Sequence, residues 1–327
     1  MAYVPTDFRK TVVFLGKDKE GETYVCGSAF WVINVQSPQE LAERYQPAYL
    51  VTAAHVIEEL RQNGVGSFRI RVNLKTGEAV WLDGMSLDRW KQHPDPTVDV
   101  SILKLAIYEE WDHTGWPTTA FVTPESIEQY QEEIELGDEV FSVGVFWPHK
   151  GKTRNIPLVR IGNIAALRDE RVETKQDLFS DVYLMEARSV GGLSGAPVFI
   201  DIVRARLTGR EIAKSGTVFV GPFRFRLIGL ISGHFTGVDD ELMSTELVNT
   251  GIPLKELEKL NMGIAYVTPA DKIIEGLQQF KGAEEEESRH HREPLSIAVG
   301  DTSPRATVAS QLATSTFDVP KTRDKKD

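Results

Sequence analysis

Short apolar runs, broken by turns rich in glycine, proline, aspartate and asparagine, recur along most of the chain. Runs of this length with β-branched and aromatic residues predict strands. A first series covers 11–15, 23–34, 48–52, 68–74, 79–82 and 98–106. A second covers 139–146, 156–166, 182–186, 196–201, 217–220, 225–231 and 263–267. Strands at this spacing predict an antiparallel sandwich or barrel, not alternating α/β units. The two series are alike in kind but show no strict repeat.

Three segments break the pattern. Ser37-Pro38 and the helix formers behind it predict a surface turn of helix over 36–44. The polar, acidic stretch 107–136, with Pro117 and Pro124, reads as a crossing between the halves. Thr268-Pro269-Ala270-Asp271 opens a helix to about 280, with Ile273, Ile274 and Leu277 on one face, expected to dock on the second half. The resulting division is an N-terminal unit 1–111, a linker 112–135, a C-terminal unit 136–281 and a tail 282–327. The tail begins with Glu284–Glu287 and buries too little to offset chain entropy, so it is expected to be disordered.

Composition narrows the function. The chain has 327 residues and a formal net charge of -11, which argues against nucleic acid as a partner. No apolar run is long enough to span a membrane. Met1–Lys10 does not read as a signal peptide, and Cys26 is the one cysteine, so the expected location is the cytoplasm. Cys26 lies in an apolar strand and reads as a small core residue. The histidines lack metal-ligand spacing and no phosphate-cradling glycine loop occurs, so no metal or other cofactor is expected.

Ser189-Val190-Gly191-Gly192-Leu193-Ser194-Gly195-Ala196-Pro197-Val198-Phe199 reads as a glycine-rich turn entering a buried strand. Such a turn can present the Ser194 hydroxyl beside inward-facing backbone N–H groups, which acyl transfer requires. His55, after an apolar strand in Val51-Thr52-Ala53-Ala54-His55, suits a general base, or is a satisfied core histidine. Asp99, at the mouth of the run Val98–Leu105, suits an acid that orients an imidazole, or a carboxylate capping backbone. Asp88 and Asp95 are its rivals.

The order His55, Asp99, Ser194, with Thr-Ala-Ala-His, Asp-Val-Ser-Ile-Leu-Lys and Gly-Leu-Ser-Gly-Ala-Pro-Val, resembles the trypsin/chymotrypsin-like serine peptidases. The likeness spans about 10–280 and is nearest to the disulfide-free bacterial branch with HtrA-type enzymes. It implies an all-β fold of two six-stranded antiparallel barrels with the site in the cleft between them. It also implies an endopeptidase acting on a protein or peptide, with His55 as base, Asp99 as its orienting acid and Ser194 as nucleophile. The implied oxyanion donors are the N–H groups of Gly192 and Ser194. Ser232 and Gly233 fall on the strand lining the primary pocket, where Ser232 usually supports the acid. Arg188 and His234 would suit an acidic substrate residue, unless Arg188 pairs with Glu186. Leu193 replaces the aspartate that pairs with a freed N-terminus, so that zymogen switch is not implied. Ala196 replaces a second glycine. No PDZ-like unit follows the second half. The competing expectation is a non-catalytic or latent protein-binding module on the same fold.

Overall fold

Twelve residues of β2 (Glu22–Ile33) form the longest strand of the first half, and its buried stretch organises that half. A computed structural model describes residues 4–19, 22–35, 47–63, 67–130, 134–146, 149–175, 178–187, 193–202, 224–236 and 261–280. The expected helical turn at 36–44, the strand at 217–220 and the tail 282–327 lie outside the described residues.

β2 pairs antiparallel with β1 (Val12–Lys19) and β3 (Ala48–Thr52). The sheet extends through β4 (Ser67–Asn73) and β5 (Ala79–Ser86) on one side. On the other it continues from β3 to β7 (Ser101–Lys104) and then β6 (Lys91–Gln92). A short β8 (Trp116–Pro117) runs parallel beside β2. Helix α1 (Ala54–Gln62) lies between β3 and β4 in the chain, and helix α2 (Pro124–Tyr130) lies in the crossing segment. Phe14, Trp31, Tyr49 and Leu50 are fully buried in the core of this half.

The second half closes. β9 (Glu139–Gly144), β10 (Leu158–Ala166), β13 (Tyr183–Glu186), β14 (Pro197–Asp201), β15 (Phe225–Thr236) and β16 (Asn261–Pro269) form a six-stranded barrel in the order β10-β13-β16-β15-β14-β9. Between β10 and β13 lies a hairpin, β11 (Val172–Lys175) and β12 (Leu178–Ser180). The expectation for the first half is a second such barrel. Among the described residues its end strands β5 and β6 do not pair, and it is an eight-stranded sheet. β6 is only two residues long, and its pairing is with β7, Lys91 opposite Ile102 and Gln92 opposite Ser101.

Three devices join the halves. Phe8 of the N-terminal 3-10 turn sits amid Trp116, Phe141, Phe199 and Phe225, with ring centroids 4.8 to 5.1 Å away. Arg71 of β4 donates to the carbonyls of Gly151 and Lys152 at 2.9 and 2.8 Å, and Asn73 Oδ1 accepts from Asn155 N–H at 2.7 Å. The helix α3 (Ala270–Leu277) continues directly from β16. As expected it touches β15 and β16 of the second half, and it also reaches β7 of the first, with Ile273 and Leu277 in a buried cluster drawn from both halves. The three residues after the helix hold it there. Phe280 packs edge-on against Tyr49 at 5.2 Å, and Gln279 bonds Gln92 and Lys91. Among the described residues no helix is long and apolar enough to cross a membrane.

Candidate active site

β3 is buried along its whole length and pairs with β7 so that Thr52 faces Ser101. That register brings the chain after Thr52 alongside the chain before Ser101. Helix α1 starts there, and its N-cap residue Ala53 has no side chain able to cap it. Asp99 takes over that role. Its Oδ1 accepts the His55 N–H at 2.8 Å, and its Oδ2 accepts from His55 Nδ1 at 2.7 Å. A carboxylate at a helix N-terminus also complements the partial positive charge there. An ionised carboxylate can only accept, so the ring proton sits on Nδ1 and Nε2 is left as the basic nitrogen. His55 and Asp99 are partly exposed, at 20% and 22%, so a substrate can reach the ring.

Ser194 belongs to a tight turn in which Ala196 N–H donates to Leu193 O at 2.8 Å, immediately before β14. Its carbonyl accepts the N–H of Ser28, on β2 of the other half, at 3.1 Å. Gly195 has φ +79°, and a Cβ there would stand 2.2 Å from Ser28 O and 2.3 Å from Thr52 Oγ1. Only glycine fits both the backbone angle and the notch. Since Thr52 and Ala53 lead directly into His55, the Ser194-Gly195 turn is seated against the segment that presents the imidazole. Among the described residues neither His55 Nε2 nor Ser194 Oγ takes part in a hydrogen bond.

The other expected residues divide. Gly192 and Arg188 lie outside the described residues. Ser232 is buried, but its hydroxyl bonds the hydroxyl of Thr268 and accepts its N–H at 3.2 Å, in place of supporting Asp99. Gly233 lies under the Tyr266 ring, where a Cβ would come within 2.3 Å of the phenol oxygen. His234 pairs with Ala265 across β15 and β16, and desolvation holds its pKa below the usual imidazole value. The rivals of Asp99 are committed elsewhere: Asp95 accepts from Thr97 N and Oγ1 at 2.9 and 2.7 Å, and Asp88 is exposed in the turn after β5. Cys26 points at Leu15 O, and burial pushes its thiol up to about 11, so it is no nucleophile.

A cavity of about 320 Å³ borders His55 and Asp99. It lies between α1, the segment 96–99, the β11–β12 hairpin and Tyr266. Burial, and to a lesser degree the Asp99 charge, raises the Tyr266 phenol pKa. The hairpin is tied to the Asp99 segment by Ser180 Oγ, which donates to Thr97 O at 2.9 Å.

Sequence reasoning missed α1, this hairpin and above all Ser28. Ser28 is fully buried, with its N–H on Ser194 O, its Oγ accepting Val145 N–H at 2.9 Å, and its carbonyl accepting Thr52 Oγ1 at 2.7 Å. The available signal was a serine inside an apolar strand, since a buried hydroxyl needs partners.

A family model described as a trypsin-like peptidase domain matches residues 28–209, more than half of the chain. No curated protein sequence matches. Among solved structures, Deg5 is 18% identical, with 59% of this chain and 75% of that chain covered and a TM-score of 0.39. The HtrA-type protease AlgW, solved with a decapeptide, is 15% identical, with 83% of this chain and 64% of that chain covered and a TM-score of 0.44. The Rv3671c protease of M. tuberculosis H37Rv, in an inactive form, is 15% identical, with 84% and 90% covered and a TM-score of 0.42.

Proposed function

The chain belongs to the trypsin-like peptidase domain family, and from that premise we propose that it is a serine endopeptidase with a His55/Asp99/Ser194 triad. The observation that carries the reading is the double hold of Asp99 on His55, through the backbone N–H and through Nδ1. It fixes both the position and the tautomer of the ring.

In the proposed reaction Ser194 Oγ attacks the scissile carbonyl carbon while His55 Nε2 takes its proton. Asp99 stabilises the imidazolium formed at that moment. The Ser194 N–H and, by the family likeness, the Gly192 N–H receive the oxyanion. Collapse breaks the peptide C–N bond, and the imidazolium returns its proton to the leaving amine. Water then attacks the acyl-enzyme, again losing a proton to His55, and releases the acid product. The chain's one cysteine fits work in a reducing compartment such as the cytoplasm.

The test is hydrolysis of unfolded casein by the wild type, Ser194→Ala and His55→Ala. Loss of cleavage in both variants supports the reading, and equal cleavage by all three overturns it. A second reading is a latent peptidase, favoured by the free His55 Nε2 and Ser194 Oγ among the described residues. Cleavage that appears only after removal of 282–327 would favour it.

A further inference from the structure

We propose that the cavity beside the His55–Asp99 pair is a subsite for a lysine or arginine side chain of the peptide substrate, with Glu58 as its anchored carboxylate. The proposal rests on the peptidase reading above and adds the substrate class. At about 320 Å³ the cavity lies at the lower end of small-ligand pockets, roughly 300–1,000 Å³, which suits one long side chain. It borders His55 and Asp99, the proposed base and its orienting acid.

The chemistry of the walls is one-sided. Glu58, Glu59 and Asp99 line the cavity, and among its described lining residues there is no lysine or arginine. Asp99 is committed to His55. Glu58 is not committed to a single cation. Its Oε1 accepts from Gln62 Nε2 at 3.2 Å and its Oε2 from Gln92 Nε2 at 3.3 Å. The Arg61 guanidinium approaches only to 3.7 Å and also donates to Leu87 O at 3.0 Å. A carboxylate has about four acceptor positions, so Glu58 keeps capacity for a further donor. The two amides hold it in place, which lowers the ordering cost of binding. Glu59, exposed one residue on, has no ion-pair partner among the described residues. Val98 and Leu178 supply apolar wall for a methylene stem. An apolar wall ending at carboxylates fits a long cationic side chain and rejects an acidic one. The net charge of -11 steers cationic peptides the same way.

The test uses the full chain carrying Ser194→Ala, immobilised and exposed to a library of random octapeptides, with retained peptides quantified by mass spectrometry. The expected result is enrichment of Lys and Arg over Gln by about tenfold at one position, the scale of one charge-assisted hydrogen bond. The enrichment falls at high salt and is lost when Glu58→Gln and Glu59→Gln are added. Both changes are near-isosteric at solvent-accessible positions, and an unchanged thermal midpoint verifies the fold. No basic enrichment, enrichment that survives both changes, or selection of acidic peptides overturns the proposal. Retention does not depend on turnover. Failure of the peptidase reading is seen separately, as wild-type protein that cleaves no casein.

Discussion

Ser28 donates its backbone N–H to the carbonyl of Ser194 at 3.1 Å, tying the strand at the heart of the first half to the turn that carries the proposed nucleophile. The same serine accepts Val145 N–H from the second half and, through its carbonyl, the hydroxyl of Thr52. One buried residue thus fixes the two halves and the approach to His55. This arrangement explains why the positions around it are small. Cβ atoms at Gly144 or Gly195 would collide with Ser28 or with the Ser194 turn itself.

Ser28→Ala removes the acceptor for Val145 N–H and leaves a buried donor unmatched. Leaving such a group unsatisfied costs about 1–3 kcal/mol. Urea denaturation is expected to show a loss in that range, while casein hydrolysis stays near wild type because the substitution keeps the Ser28 N–H that holds the Ser194 carbonyl. Unchanged stability would show that a rearrangement satisfies Val145.

Asp99→Asn keeps the shape of the pair but changes its hydrogen bonding. An amide can present NH₂ to Nδ1, favouring the tautomer with the proton on Nε2 and removing the base. In this chemistry the loss in turnover is about 10⁴-fold. The variant is expected to fold, with thermal unfolding near that of the wild type, while its hydrolysis rate falls by roughly that factor.

Arg168 donates to Asp181 Oδ1 through Nε at 2.8 Å and to Asp271 Oδ1 through a terminal nitrogen at 2.9 Å, linking the start of the β11–β12 segment to α3. Its hydrogen bond holds Asp181 below the usual carboxylate pKa. A carboxylate depressed in the folded state stabilises above its unfolded pKa, here 3.8, and loses that contribution as pH falls through its folded value. Arg168→Met is therefore expected to lower stability at pH 7 by about 1–2 kcal/mol, since the groups are partly solvated. The gap to wild type should narrow once the pH drops below that unfolded value. Urea melts at neutral and strongly acidic pH measure both.

The Cys26 thiol is raised by desolvation from 9.0 to about 11, so the folded state keeps a proton that the unfolded chain releases. By linkage, stability falls as pH rises between those values. At pH 8 the native thiol is expected to react with a disulfide reagent far more slowly than in denaturant. Equal rates would show an exposed, ionisable thiol.

The strand pattern of both halves was legible because alternation and buried runs report local burial directly. Closure of the first half was not, because it turns on pairing between β5 and a β6 of only two residues, and no local pattern reports that pairing. The sequence offered two meanings for Asp99, backbone cap or imidazole partner, and the structure combines them: one oxygen caps α1 and the other takes Nδ1. The helix α1 was missed because its N-cap, Ala53, carries no capping group, and the cap comes from a residue distant in sequence. Ser232 does line the cavity beside His55 and Asp99, but the bond its hydroxyl makes was illegible for a similar reason. Its partner is Thr268, delivered by the pairing of β15 with β16, which no local motif announces.

The most direct measurement is labelling by a fluorophosphonate probe, followed by mass spectrometry of the modified peptide. The probe phosphonylates a serine activated by a neighbouring base: Oγ bonds to phosphorus, fluoride leaves, and the base takes the hydroxyl proton. A single adduct on Ser194, absent in Ser194→Ala and strongly reduced in His55→Ala, is the predicted result. Folded wild-type protein without an adduct at Ser194, or labelling undiminished by loss of His55, would contradict the account.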